Sequence, residues 1–106
     1  MNDKFFSLLG MARRAGKLSL GHDAAKSSVV SGKAWLCILS ADTSERLKNE
    51  FKGLSESDTY SVPVIITDCT MFELGHAVGS KAGVITVNDQ GFAQRLERLS
   101  QDGDIA

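Results

Sequence analysis

Two histidines, two cysteines and a lysine-bearing stretch between residues 17 and 33 are the parts of this chain whose types could do chemistry. His22 adjoins Asp23, and a histidine beside a carboxylate could work as an acid–base pair. Cys37 could serve such a pair as a nucleophile, but nothing near it in the sequence would lower a thiol's pKa. The plainer reading makes His22 a neighbour of a helix cap, and His76 a surface or packing residue beside an apolar stripe. Cys37 and Cys69 are far apart, border apolar runs and form no C-x-x-C or metal-ligand spacing, so two reduced, partly buried thiols are expected. No G-x-G-x-x-G, P-loop or G-x-S-x-G occurs in the chain. The residues thus point away from an enzyme, a cofactor, a metal and a small-molecule substrate.

The segment from Lys17 to Lys33 holds more promise. Gly21 stands before a helix, where a glycine lets a nucleic-acid backbone come close. The first N–H groups of a helix have no internal partner and can bind phosphate. Lys17, Lys26 and Lys33 could add phosphate contacts. Charge is also uneven. Residues 1–34 carry six bases and two acids, a balance of +4, and residues 35–106 carry six bases and eleven acids, a balance of −5, which together give the net −1. Positive charge gathered at one end of a chain suits a phosphate-bearing partner.

The elements that must position these residues follow from periodicity. Phe5, Leu8, Leu9 and Ala12 share one face of a helix over about 3–14. Residues 17–20 alternate as a short strand. A second helix spans about 22–31, with Ala25, Ser28 and Val29 inward and Gly32 as its stop. Residues 34–39 form a buried strand, with Trp35 packed at its start; stacking of Trp35 on an unpaired base is the alternative. Asp42, Thr43 and Ser44 offer caps for a helix to about Leu54, striped by Leu47, Phe51 and Leu54. A polar loop leads to a strand over 62–66, where Pro63 fits the first residues. Thr70 and Glu73 form a capping box for a helix bearing Leu74, Ala77 and Val78. Strand 84–87 and a helix over about 89–100, with Phe92, Leu96 and Leu99, complete the order, and residues 101–106 read as a frayed tail. Such alternation predicts a single domain over 1–106, a three-layer α/β/α sandwich around a mixed or mostly parallel sheet.

The 106 residues are enough for one modest core. No apolar run is long enough to cross a bilayer, and the N-terminal apolar residues are interrupted by Ser7, Gly10 and Arg13, a poor signal peptide. The cytoplasm is the expected location, with no membrane partner; oligomeric state is open.

Several motifs lie in one order along nearly the whole chain. They are Leu8-Leu9-Gly10-Met11-Ala12-Arg13-Arg14-Ala15-Gly16-Lys17 with Gly21, then Ser31-Gly32-Lys33-Ala34, then Ser40-Ala41-Asp42-Thr43-Ser44. Val62-Pro63-Val64, Glu73-Leu74-Gly75-His76-Ala77-Val78-Gly79 and Asp89-Gln90-Gly91-Phe92-Ala93 follow. Together they resemble the bacterial YlxQ-like proteins, relatives of the archaeal and eukaryotic ribosomal and box C/D kink-turn-binding proteins. The resemblance implies the α/β/α sandwich and binding of structured RNA, ribosomal RNA included. In kink-turn binders a helix-start motif, Gly-x-Asn-Glu-x-x-Lys, contacts the sheared G·A pairs beside the kink. By position Gly21 matches its glycine, Asp23 its asparagine, Ala24 its glutamate and Ser27 its lysine. His22 fills the variable place, and Lys17 matches a basic residue ahead of the motif. The resemblance adds a second contact from the loop Ser80, Lys81, Ala82 and Gly83. Ala24 cannot accept hydrogen bonds from a guanine edge, and Ser27 removes a positive donor. Lys26 is adjacent to Ser27, but one position along a helix turns a side chain by about 100°. The expectation is an RNA-binding protein with reduced base readout, on an edge built from residues 17–27, Lys33 and loop 80–83. The competing expectation is a protein–protein interaction module that keeps the fold without kink-turn binding.

Overall fold

A computed structural model describes residues 3–57 and 59–105, with side chains to residue 101. Nine elements alternate: α1 (Asp3–Arg14), β1 (Leu18–Leu20), α2 (His22–Val30), β2 (Leu36–Leu39), α3 (Glu45–Ser55), β3 (Val64–Ile66), α4 (Met71–Val78), β4 (Val84–Val87) and α5 (Gln90–Ile105). The sequence periods place each of them. Strands 2 and 3 each begin two residues later than expected, at Leu36 and Val64, so Pro63 precedes its strand, and α5 runs past its expected end near 100 to Ile105. Ala106, the last residue of the expected tail, lies outside the described residues, as do Met1, Asn2 and Asp58.

The sheet has the order β1-β4-β2-β3. Strand 4 pairs antiparallel with both β1 and β2, and only β2 and β3 run parallel. The sheet is therefore mixed, and the mostly parallel alternative is excluded. All four residues of β2 and of β4 are buried. Alternate side chains of β2 serve two cores. Leu36 and Ile38 join Phe5, Leu9, Leu74, Ile85 and Leu96 under α1, α4 and α5. Cys37 and Leu39 join Ala25, Phe51 and Val84 under α2 and α3. A strand covered on both faces has no polar side, which explains the unbroken apolar run.

Local signals hold the helices in place. Ser44 caps α3 by accepting from the Leu47 N–H at 3.1 Å. Thr70 and Glu73 close a reciprocal capping box on α4. Asp42, expected to cap α3, instead accepts from the Met71 N–H at 2.9 Å and so ties the loop after β2 to the start of α4. On the α2 side, Ser28 Oγ donates to Asn88 Oδ1, and Asn88 Nδ2 donates to Ser19 Oγ at 2.9 Å. This small polar chain fixes α2 against β1 and the exit of β4.

Candidate nucleic-acid interface

Helix α2 starts at one end of the sheet because Gly21 turns the chain there. Gly21 has φ 89° and ψ 169°, a conformation that side chains other than glycine rarely adopt. Its N–H donates to the Val84 carbonyl at 3.0 Å. Loop 80–83 runs directly into Val84, so the two segments expected to share a ligand meet at this hydrogen bond. No side chain caps α2. Its first N–H groups point outward from the same end, an arrangement suited to an anion.

The Leu-Gly-x-x-x-Gly element shapes the loop. Gly79 ends α4 in the left-handed region and donates to the Gly75 carbonyl at 2.7 Å. A Cβ on Gly75 would stand 3.1 Å from the Lys81 Cα and push the loop back by a few tenths of an ångström, so glycine here lets the loop lie close on α4. Ser80 and Lys81 are exposed as a result. Ala82 is a correction: its side chain is only 5% exposed and belongs to the core beneath α1, α4 and α5, so only its backbone can face a ligand. Gly83 packs against the buried Thr43, and its carbonyl accepts from the Ser40 N–H at 3.0 Å. Lys81 also helps to hold the Asp42 carboxyl below its usual range, after the Met71 N–H, which is the larger cause.

The first turn of α2 carries a cluster of which the sequence announced only the neighbours His22 and Asp23. His22 Nδ1 bonds to Asp23 Oδ1 at 2.9 Å, and Nε2 lies 2.9 and 3.0 Å from the two oxygens of Glu50 on α3. Lys26 Nζ reaches Glu50 at 3.5 Å. The His22 ring also stands edge-on to Phe51, with centroids 5.8 Å apart. The bond to Asp23, then that to Glu50, raises the His22 pKa above 6.5. The Glu50 carboxyl is lowered, first by its bond to His22. Glu50 is 28 residues from His22, with no spacing signal to link them. Ala24 and Ser27 are exposed beside this cluster, so both motif departures face the solvent.

Lys17 and Lys33 are not at this end. The Lys17 carbonyl accepts from the Asn88 N–H at 2.7 Å, beyond the last residue of β4. Lys33 follows the C-terminus of α2, and its neighbour Trp35 donates to the Val87 carbonyl at 2.8 Å. The expected single edge is therefore two places, separated by the length of α2, about 14 Å for nine residues. The cause is the antiparallel pairing of β1 with β4, which carries Leu18 to Val87 and Leu20 to Ile85. Trp35, expected to pack at a strand start, precedes β2 and remains 48% exposed.

The possible nucleophile pair does not form. Cys37 is fully buried in the α2–α3 core and burial pushes its thiol up to about 12. Both nitrogens of His22 are held by carboxylates. Cys69 is also buried and free, with its pKa raised mainly by burial. His76 is exposed and makes an edge-to-face contact with Phe72 at 4.7 Å. Among the described residues, no group of three or more His, Cys, Asp or Glu could hold a metal ion, and no helix is long and apolar enough to cross a membrane.

Comparison with known proteins agrees with this architecture. The model of the ribosomal protein L7Ae/L30e/S12e/Gadd45 family matches residues 3–97. A Bacillus subtilis protein named RNA-binding protein YlxQ is 33% identical over 97 residues, covering 91% of this chain and 94% of the relative. The Enterococcus faecium protein of the same name is 30% identical over 96 residues, covering 91% and 90%. A solved Bacillus halodurans structure, described as a protein of unknown function, superposes with a TM-score of 0.86 at 33% identity over 94% of this chain and 99% of its own. The Giardia lamblia 15.5kD RNA binding protein superposes with a TM-score of 0.75 over 96% and 92%, and at 18% identity that likeness concerns the fold alone.

Proposed function

This chain belongs to the ribosomal protein L7Ae/L30e/S12e/Gadd45 family, and from that premise we propose that it is a non-catalytic binder of structured RNA. The observation that carries the reading is the Gly21–Val84 hydrogen bond, which joins the uncapped start of α2 to the exposed Ser80–Lys81 loop at one end of the sheet. Open backbone donors, the His22 ring and the cations of Lys26 and Lys81 there suit a phosphate-bearing ligand. The two curated relatives carry RNA-binding names over nearly the whole length of the chain.

Base readout at this site is limited. The Ala24 methyl offers no acceptor to a guanine edge, and the Ser27 hydroxyl carries no charge. Phosphate contacts and the shape of the RNA therefore dominate, with kink-turn RNA or a ribosomal RNA segment as the class of partner.

The test is a salt titration of binding to a standard kink-turn RNA, with Lys26→Ala and Lys81→Ala as variants. Affinity falls with salt, by a log–log slope of roughly 0.7–0.9 for each phosphate contacted, and each substitution removes about one such step. Binding that ignores both salt and the substitutions would refute the electrostatic site. Absence of binding even at low salt would leave a protein-interaction module on the same fold.

A further inference from the structure

The end of the sheet away from Gly21 holds a feature with no role so far. Trp35, from the turn before β2, forms one wall of a cleft of about 460 Å³. That size lies within the range of about 300–1,000 Å³ typical of small-ligand sites. Tyr60, from the loop before β3, lines the cleft with it. The apolar surface comes from Val29 of α2, Pro63 and Ala93 of α5. Gln90 and Gln94 also line it, four residues apart and so on one face of α5. The Trp35 Nε1–H, the Tyr60 hydroxyl and the two amides make no hydrogen bond to any described residue.

We propose that this cleft receives an unpaired nucleobase of the RNA bound by the protein, stacked on Trp35 and read along its edge by Gln90 and Gln94. The inference rests on the RNA-binding reading. Each element of the cleft suits a flat neutral heterocycle. A half-exposed indole offers a face for stacking, and such contacts tolerate any base. A glutamine amide presents a donor and an acceptor together, matching the mixed edge of a base. Glu97 also lines the cleft, which disfavours a phosphate inside it. Lys17 and Lys33 are exposed at the same end of the sheet, where they can hold the flanking phosphates outside. The distance from the start of α2, about 14 Å, is short enough for one RNA to engage both ends.

The chain has one tryptophan, so its fluorescence reports this cleft directly. The experiment compares a labelled kink-turn RNA with a single-stranded extension and the same RNA without it, reading anisotropy for binding and Trp35 emission for the cleft. The extended RNA should quench Trp35 and bind roughly 5- to 150-fold more tightly than the blunt one, the range expected for one stacked base. Trp35→Leu should erase that difference and leave blunt-RNA affinity unchanged. Gln94→Ala should shrink the difference while preserving the quench, which keeps the test valid if the tryptophan variant misfolds. Equal affinity for the two RNAs, with Trp35 emission unchanged on binding, overturns the cleft and leaves the RNA reading standing. If neither RNA binds, the RNA reading fails and takes the cleft with it. Quenching by a nucleoside monophosphate alone at micromolar concentration would assign the cleft to a free nucleotide and overturn the proposal. An emission shift with protein concentration alone would assign it to a second copy and do the same.

Discussion

Glu50 should act against RNA binding. Its carboxylate occupies His22 at 2.9 Å and Lys26 at 3.5 Å, the two side chains of the first turns of α2 best placed to meet a phosphate. In Glu50→Gln the side chain keeps its length and can still hydrogen-bond His22, but the charge is gone. Two contributions set the size of the effect. An exposed ion pair such as Lys26–Glu50 stabilises by about 0.2–1 kcal/mol, which a phosphate must overcome to recruit Lys26. A carboxylate roughly 8 Å from a phosphate also repels it by about 0.5 kcal/mol in water, and salt screens that repulsion further. The variant should therefore bind RNA roughly 1.5- to 10-fold more tightly at low salt. Because Lys26 already meets a phosphate in the native protein, the salt slope should change by less than one such contact, about 0.7–0.9. Anisotropy with labelled kink-turn RNA across a salt series measures both, with circular dichroism confirming the fold. A folded Glu50→Gln protein that binds no more tightly than the native one at any salt would show that phosphate does not approach this turn.

Two further outcomes follow from the same end of the sheet. The His22 pKa is raised by Asp23 and then Glu50, so the stability its protonation adds is present in full below pH 6.5 and is lost as pH rises through the raised value. The Glu50 pKa is lowered, so its contribution is present above pH 4.5 and is lost as pH falls through the lowered value. His22→Gln should thus lower the melting temperature most between about pH 4.5 and 6.5 and little at pH 9; a pH-independent difference would refute this pairing. Separately, a Cβ on Gly83 would lie 2.6 Å from Thr43 Oγ1 and 3.3 Å from Thr43 Cβ. Thr43 is buried, so Gly83→Ala should destabilise by about 1–3 kcal/mol in denaturant unfolding, and an unchanged midpoint would mean that the loop after β2 yields freely.

The elements were legible in the sequence because each is short and periodic. Phe5, Leu8, Leu9 and Ala12 announce α1, and Thr70 with Glu73 announces the start of α4. Gly21 and Gly79 mark the turns, and Gly75 the close approach, that bring α2 and loop 80–83 together. What failed to show was contact between elements distant in the chain. Nothing in the spacing of His22 and Glu50 reveals their bond, since it depends on how α2 and α3 lie on one face of the sheet. The burial of Ala82 was hidden for a related reason: its loop carries Ser80, Lys81 and Gly83, so the composition reads as surface. Trp35 misled because an aromatic residue at the head of an apolar run resembles a core residue. In the fold it lies before β2, where the cover provided by α2 gives way to the turn at Gly32.

The division of the lysines has a consequence for how RNA would be held. The surplus of positive charge in residues 1–34 reads as one basic face, yet the antiparallel pairing of β1 sends Lys17 to one end of the sheet and leaves Lys26 at the other. The Gly21 end carries acids beside its cations. At the Gly21 end, Asp23 and Glu50 stand against His22 and Lys26, and Asp42 faces Lys81. Attraction divided between two places favours a ligand that touches both, because the second contact is then made without a second loss of translational freedom. A short phosphate-bearing ligand confined to one end gains nothing from the other. An RNA rigid enough to hold its phosphates about 14 Å apart, the length of α2, gains from both. Selectivity for folded RNA over short strands can therefore arise from the spacing of two modest sites, even where Ala24 and Ser27 leave little of the base edge to read.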